Sequence, residues 1–176
     1  MNDMRTKVEQ DRGLLKKIEL ILPGFKGYRR REDLRAADSL LRQQLAMRMG
    51  EINRKIDNCR DELTKALEIG LMSEIGDISK LSGQVENKIR HAEQGYSNIS
   101  ADIRFEEEEL NRMYEWDLSL LQTIELMGKM ADELNNSIIG SDGTAGQKMK
   151  DIRKALNDFN SLLEKRISKI AGLEVS

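Results

Sequence analysis

The chain has 176 residues, with 29 Lys and Arg against 31 Asp and Glu, 39% hydrophobic residues and 34% charged ones. That length suits one domain or one extended coiled-coil body rather than two cores, and a formal net charge of −2 gives no global attraction to nucleic acid or anionic lipid. Three Phe, three Tyr, one Trp and one Pro, with no alternating β-branched runs, leave nothing from which to build a sheet.

The first apolar stripe is Met4, Val8, Leu15, Ile18 and Leu22, at spacings near three and four, which predicts a helix over 3–22. Pro23 and Gly24 end it, since the residue before proline is pushed out of the α region and glycine permits a sharp turn. A second helix over 30–68 carries Leu34, Leu41, Leu45, Met49, Ile52, Ile56, Cys59, Leu63 and then Ala66 or Leu67 in a sustained three-four alternation. Charged residues fill the positions between, so this stripe reads as a narrow coiled-coil seam. Gly70, Leu71, Met72 and Gly76 predict a turn at 69–72, the alternative being a soft point in one continuous helix.

A third helix over 73–92 places Ile75, Ile78, Leu81, Val85 and Ile89 on one side. The polar stretch 93–101 reads as a loop. A fourth helix over 103–139 follows Ile103, Leu110, Met113 or Tyr114, Asp117, Leu121, Ile124, Met127, Ala131, Leu134 and Ile138. After the glycine-rich connector 140–146, a fifth over 146–171 uses Met149, Ile152, Leu156, Phe159, Leu163, Ile167 and Ile170. The expected fold is therefore all-α, a single elongated antiparallel helical bundle or coiled coil of four to five helices.

Catalytic and metal chemistry find little material. His91 is the only histidine, and the residue three before it is Lys88, so a paired Glu-x-x-His di-iron motif is missing. Glu106, Glu107, Glu108 and Glu109 are consecutive on a helix and point around most of its circumference, so they cannot converge on one cation and instead complement a helix N-terminus. Gly146 is followed by Gln147 and Lys148 with no preceding strand, unlike a phosphate-binding P-loop. Cys59 sits on the seam as a small hydrophobe. No catalytic residue, metal ligand or cofactor is expected. One cysteine excludes an internal disulfide, and no apolar run approaches the length of a membrane span or a signal segment, so a reducing cytoplasm is the expected location.

Charge is unevenly distributed. Residues 1–60 hold 15 Lys and Arg against 9 Asp and Glu, whereas residues 101–135 hold 3 against 10. A tight turn with Pro23, Gly24, Phe25, Lys26 and Tyr28 leads into Arg29, Arg30 and Arg31, and a second Gly-Tyr pair places Tyr96 just before the acidic run Glu106 to Glu109. With helices alternating in direction, these two turns are expected at one end of the bundle, where Phe25, Lys26, Tyr28, the three arginines, Tyr96 and the acidic run form a partner surface. The other two turns then lie at the opposite end.

Pro-Gly-aromatic-x-Gly-Tyr at 23–28, Leu-Arg-x-x-Asp-x-Leu-Leu-Arg at 34–42, the segment from Ile89 to Ser97, and Leu-x-Arg-x-Tyr-Glu-Trp-Asp at 110–117 together resemble an uncharacterised family of prokaryotic helical, coiled-coil proteins. The likeness covers most of residues 20–125. It implies a helical architecture and a shared surface, with no established activity. Pro23, Gly24, Cys59, Tyr114, Trp116 and Asp117 are expected in structural roles. The functional expectation is a non-enzymatic structural or scaffold protein acting through self-association or a protein partner, with no small-molecule substrate. The alternatives are peripheral contact with an anionic membrane surface, and nucleic-acid binding through the basic turn 26–35.

Overall fold

A computed structural model describes residues 13–28, 31–92 and 107–172. The chain is an all-α helical bundle. Helix α1 covers 13–21 of the described residues. It is followed by α2 (Arg31–Lys65), α3 (Ile69–His91), α4 (Glu107–Gly140) and α5 (Ala145–Gly172).

The helices form because each carries one apolar stripe that water disfavours. All eight seam residues from Leu34 to Leu63 are buried in α2, and they belong to one apolar cluster that runs from Ile18 to Ile170. At about 1.5 Å per residue, the 35 residues of α2 extend over roughly 52 Å.

Four helices form a ring in which α2 touches α3 and α4, and α5 touches α4 and α3. Within each hairpin the helices are antiparallel. Asn53 donates to Glu86 and Ser79 to Asp57 across α2 and α3, while Lys148 pairs with Glu133 and Arg166 with Asp117 across α4 and α5. Between the hairpins the helices run parallel. Lys55 reaches the Gly128 carbonyl and Asp132, Lys88 reaches Asn160 and Glu164, and Arg153 reaches Asp77. Each of these links joins residues 72 to 77 positions apart, so the second hairpin lies beside the first in a constant register. Helix α1 lies on the α2 and α4 side, with its Ile21 carbonyl accepting from Arg48 at 3.5 Å.

The turn between α2 and α3 comes earlier than its glycines suggest. The expected turn at 69–72 lies inside the first turn of α3, and the break is at 66–68 instead. Leu67 adopts φ 59, the Glu68 amide donates to the Leu63 carbonyl at 3.1 Å, and the Leu67 amide to that of Thr64 at 3.2 Å. This is a Schellman closure with leucine where glycine is usual. Leu67 is therefore exposed and the seam ends at Leu63. Ser141 repeats the arrangement after α4, with φ 51 and the Asp142 amide bonded to the Ser137 carbonyl. Asp142 then accepts from the amide and hydroxyl of Thr144, which opens α5.

A non-glycine residue in the left-handed region costs roughly 1–2 kcal/mol, partly offset in a glycine by its greater unfolded-state entropy. Leu67→Gly is accordingly expected to raise stability by about 0.5 kcal/mol, read as an increased urea midpoint at unchanged slope. A decrease would show that the Leu67 side chain contributes contacts that outweigh its backbone strain.

Candidate functional site

Three of the helices place a charged residue on the apolar stripe itself. Asp38 in α2 lies between Leu34 and Leu41, Asp117 in α4 between Tyr114 and Leu121, and Arg166 in α5 between Leu163 and Ile170. Because the stripes face the core, the three side chains are driven together at its centre, where Arg166 is 1%, Asp117 0% and Asp38 3% exposed.

The arginine spans the bundle diagonally. Its Nε donates to Asp117 Oδ1 at 2.5 Å, Nη1 to Asp38 Oδ1 at 2.6 Å, and Nη2 to the Tyr28 hydroxyl at 2.9 Å. Tyr28 in turn donates its hydroxyl to Asp117 Oδ2. Arg42, one turn beyond Asp38, donates Nε to Asp38 Oδ2 at 2.7 Å. Two guanidinium groups thus face two carboxylates, and the planar fork of Arg166 fixes three donor directions at once.

Tyr28 reaches this centre because the turn before it folds inward. Gly24 and Gly27 hold φ 90 and 80, which reverse the chain after α1. The Tyr28 amide then donates to the Tyr114 hydroxyl at 3.1 Å. The Tyr28 and Tyr114 rings stack with centroids 5.5 Å apart, and Phe25 meets both edge-on at 5.4 and 6.4 Å. Such aromatic pairs add roughly 0.5–1.5 kcal/mol each beyond the area they bury.

This geometry corrects the reading of the aromatic turn as a partner surface. Phe25 and Tyr28 are buried, because Tyr28 finds its hydrogen-bond partners in the core and not in solvent. Lys26 is exposed, and so is Pro23 at the tip of the turn with Gly24. Glu108 is exposed, while Glu109 pairs with Lys169 of α5. Arg29, Arg30, Tyr96 and Glu106, with the side chains of Arg31 and Glu107, lie outside the described residues. The expected meeting of the two Gly-Tyr turns at one end of the bundle therefore involves residues outside the described ones. Tyr114 and Asp117 are buried, and Trp116 is half-buried. Cys59 is buried beside the Ala131 carbonyl, and burial raises its thiol to about 11, so little thiolate is present at neutral pH.

Burial, opposed by the Arg166 charge and by the hydrogen bonds from Tyr28 and Arg166, raises the carboxyl of Asp117 above its ordinary value. Burial likewise holds the Tyr28 phenol well above 10, with Arg166 opposing and Asp117 and Asp38 reinforcing. The folded chain therefore binds the phenolic proton more tightly than the unfolded one. The stabilisation is fully present below about pH 10 and is lost as pH rises from there through the folded value. The urea midpoint is expected to fall with pH above about 10, and less steeply in Tyr28→Phe. Equal slopes in the two proteins would show that Tyr28 ionises as freely in the fold as out of it.

The acids, bases and phenol of this cluster bind one another, and they tie the turn at 24–28 to α2, α4 and α5. Among the described residues, no three metal-binding side chains of His, Cys, Asp or Glu converge on one point. No helix among them is long and apolar enough to cross a membrane. In comparisons with known proteins, the chain matches no family model, no curated protein and no solved structure.

Proposed function

We propose that this chain is a non-enzymatic structural or scaffold protein of the cytoplasm, acting through helix-mediated self-association or through binding a protein partner. The observation that supports this reading is the buried cluster. Its charged groups are directed at each other and fix the register of four chain segments, which is the use of buried ion pairs best suited to specifying one rigid arrangement. A rigid bundle is in turn what presents helix faces and turns to a partner without an ordering cost on binding.

The test is chemical cross-linking of the purified full chain across a concentration series, beside quantitative immunocapture from the source cells. A discrete self-associated species, or one protein recovered in stoichiometric amount, is expected. A chain that stays monomeric throughout and recovers no protein stoichiometrically overturns the reading.

A further inference from the structure

The two turns at 66–68 and 141–144 lie together at one end of the bundle, on either side of a cavity of about 460 Å³. Leu63, Leu71 and Ile138 line its apolar part, and Glu68, Ser137 and Ser141 its polar part. Beside this recess the same end carries three apolar side chains in water, with Leu67 79%, Ile69 80% and Ile139 62% exposed. They are half of the six large hydrophobic residues exposed among the described residues, gathered into a small part of the surface.

We infer that this end docks a second copy of the chain, tip to tip, and the inference rests on the self-association half of the function proposed above. Leu67 is doubly unfavourable in an isolated chain: it occupies the left-handed region at φ 59, where glycine fits without strain, and it leaves a large apolar side chain in water. A contact with another molecule removes the second cost and gives the residue a use. The shape and charge of the end favour a like partner. It has both a projection, Leu67 and Ile69, and a recess with Leu63, Leu71 and Ile138 in its walls that can receive one. It also has both signs of charge: Lys65, in a solvent-exposed pair with Glu62, lies within one turn of exposed Glu68, and Asp142, which accepts from Thr144, is exposed on the second turn. A two-fold axis through the tip lets each copy's projection enter the other's recess, the self-complementary form of a symmetric dimer.

Area sets the strength. Three side chains at these exposures leave on the order of 400 Å² of apolar surface per copy, the size of the largest apolar patch on a typical monomer, which is often functional. Two tips then bury on the order of 800 Å² in apolar side chains, short of the roughly 1,200 Å² at the lower edge of stable complexes. The dimer is therefore weak and reversible, with a dissociation constant in the range of about 10 μM to 1 mM.

Sedimentation equilibrium of the full chain over a concentration series reads this directly, with circular dichroism to check that each variant is folded. A monomer–dimer equilibrium is expected, weakened about tenfold or more by Ile69→Asp and by Leu67→Gly, and unchanged by Leu126→Asp, which alters an exposed leucine in the middle of α4. Leu67→Gly is the sharper variant, because it is expected to stabilise the monomer while weakening the dimer. Should Ile69→Asp disturb α3, Ile139→Asp on α4 takes its place with the same expected loss. Self-association that survives the tip variants, or that falls equally with Leu126→Asp, overturns the tip contact and leaves the scaffold reading intact. A chain monomeric at every concentration overturns both the tip contact and the self-association half of that reading, and immunocapture then decides the other half.

Discussion

Replacing Arg166 with alanine is expected to lower the unfolding free energy by about 3–5 kcal/mol, the cost typical of removing one member of a buried ion pair. The loss arises less from the vanished attraction than from what is left behind. Asp117 and Asp38 stay at the centre of the core, 0% and 3% exposed, without the guanidinium that faced both of them. Tyr28 loses the donor to its hydroxyl as well. Lysine is not a conservative replacement, because a single ammonium cannot supply three donors at fixed angles. The double variant Arg166→Met with Asp117→Leu is expected to be more stable than Arg166→Ala, since it removes a stranded carboxylate and refills the volume, while Asp38 keeps its bond from Arg42. Urea denaturation of the three proteins checks this. A loss under about 1 kcal/mol for Arg166→Ala would mean that water enters the cluster and solvates the carboxylates.

The helices were readable because burial needs periodicity, and the stripes on α2, α3, α4 and α5 repeat at three and four over many turns. The centre of the candidate site was readable only in part. Asp117 stands on its stripe in the sequence, and Tyr28 and Tyr114 lie in the motifs that mark two segments. Arg166 was missed, although it follows Leu163 by three and precedes Ile170 by four, the spacing of a core position. Ile167 offers an apolar residue beside it at a stripe spacing of its own, and in the fold Ile167 is half-buried while Arg166 is enclosed. The informative pattern is the set of three: one cation and two anions, each on the apolar stripe of a different helix. No single segment shows that they meet. The turn after α2 was misplaced for a related reason. Gly70 is the residue with the local preference for a turn, yet the break is at Leu67, where closure depends on the bonds returning to Leu63 and Thr64 and not on composition.

Gly27→Ala is expected to destabilise the fold by about 2–5 kcal/mol, combining the strain of a side chain in the left-handed region with overpacking of a filled core. The backbone at Gly27 has φ 80, which alanine adopts only with strain. A β-carbon built there also overlaps the hydroxyl of Tyr114 and lies 3.4 Å from Leu15. Tyr114 has little freedom to withdraw. Its hydroxyl accepts from the Tyr28 amide, its ring stacks on Tyr28, and it is 2% exposed. Displacing it shifts Tyr28 away from Asp117 and Arg166, so the damage spreads from the turn into the charged centre. The location of the loss distinguishes this account from a general weakening. Hydrogen exchange of Gly27→Ala should show early opening of α1 and the turn at 22–28, with the amides of α3, which faces neither, protected to the global limit. Pairing Gly27→Ala with Tyr114→Phe should return the part of the loss due to the overlap, because the offending hydroxyl is gone, and should leave the part due to φ. If the two changes are instead additive, Tyr114 yields at no cost and the strain is confined to the backbone of the turn.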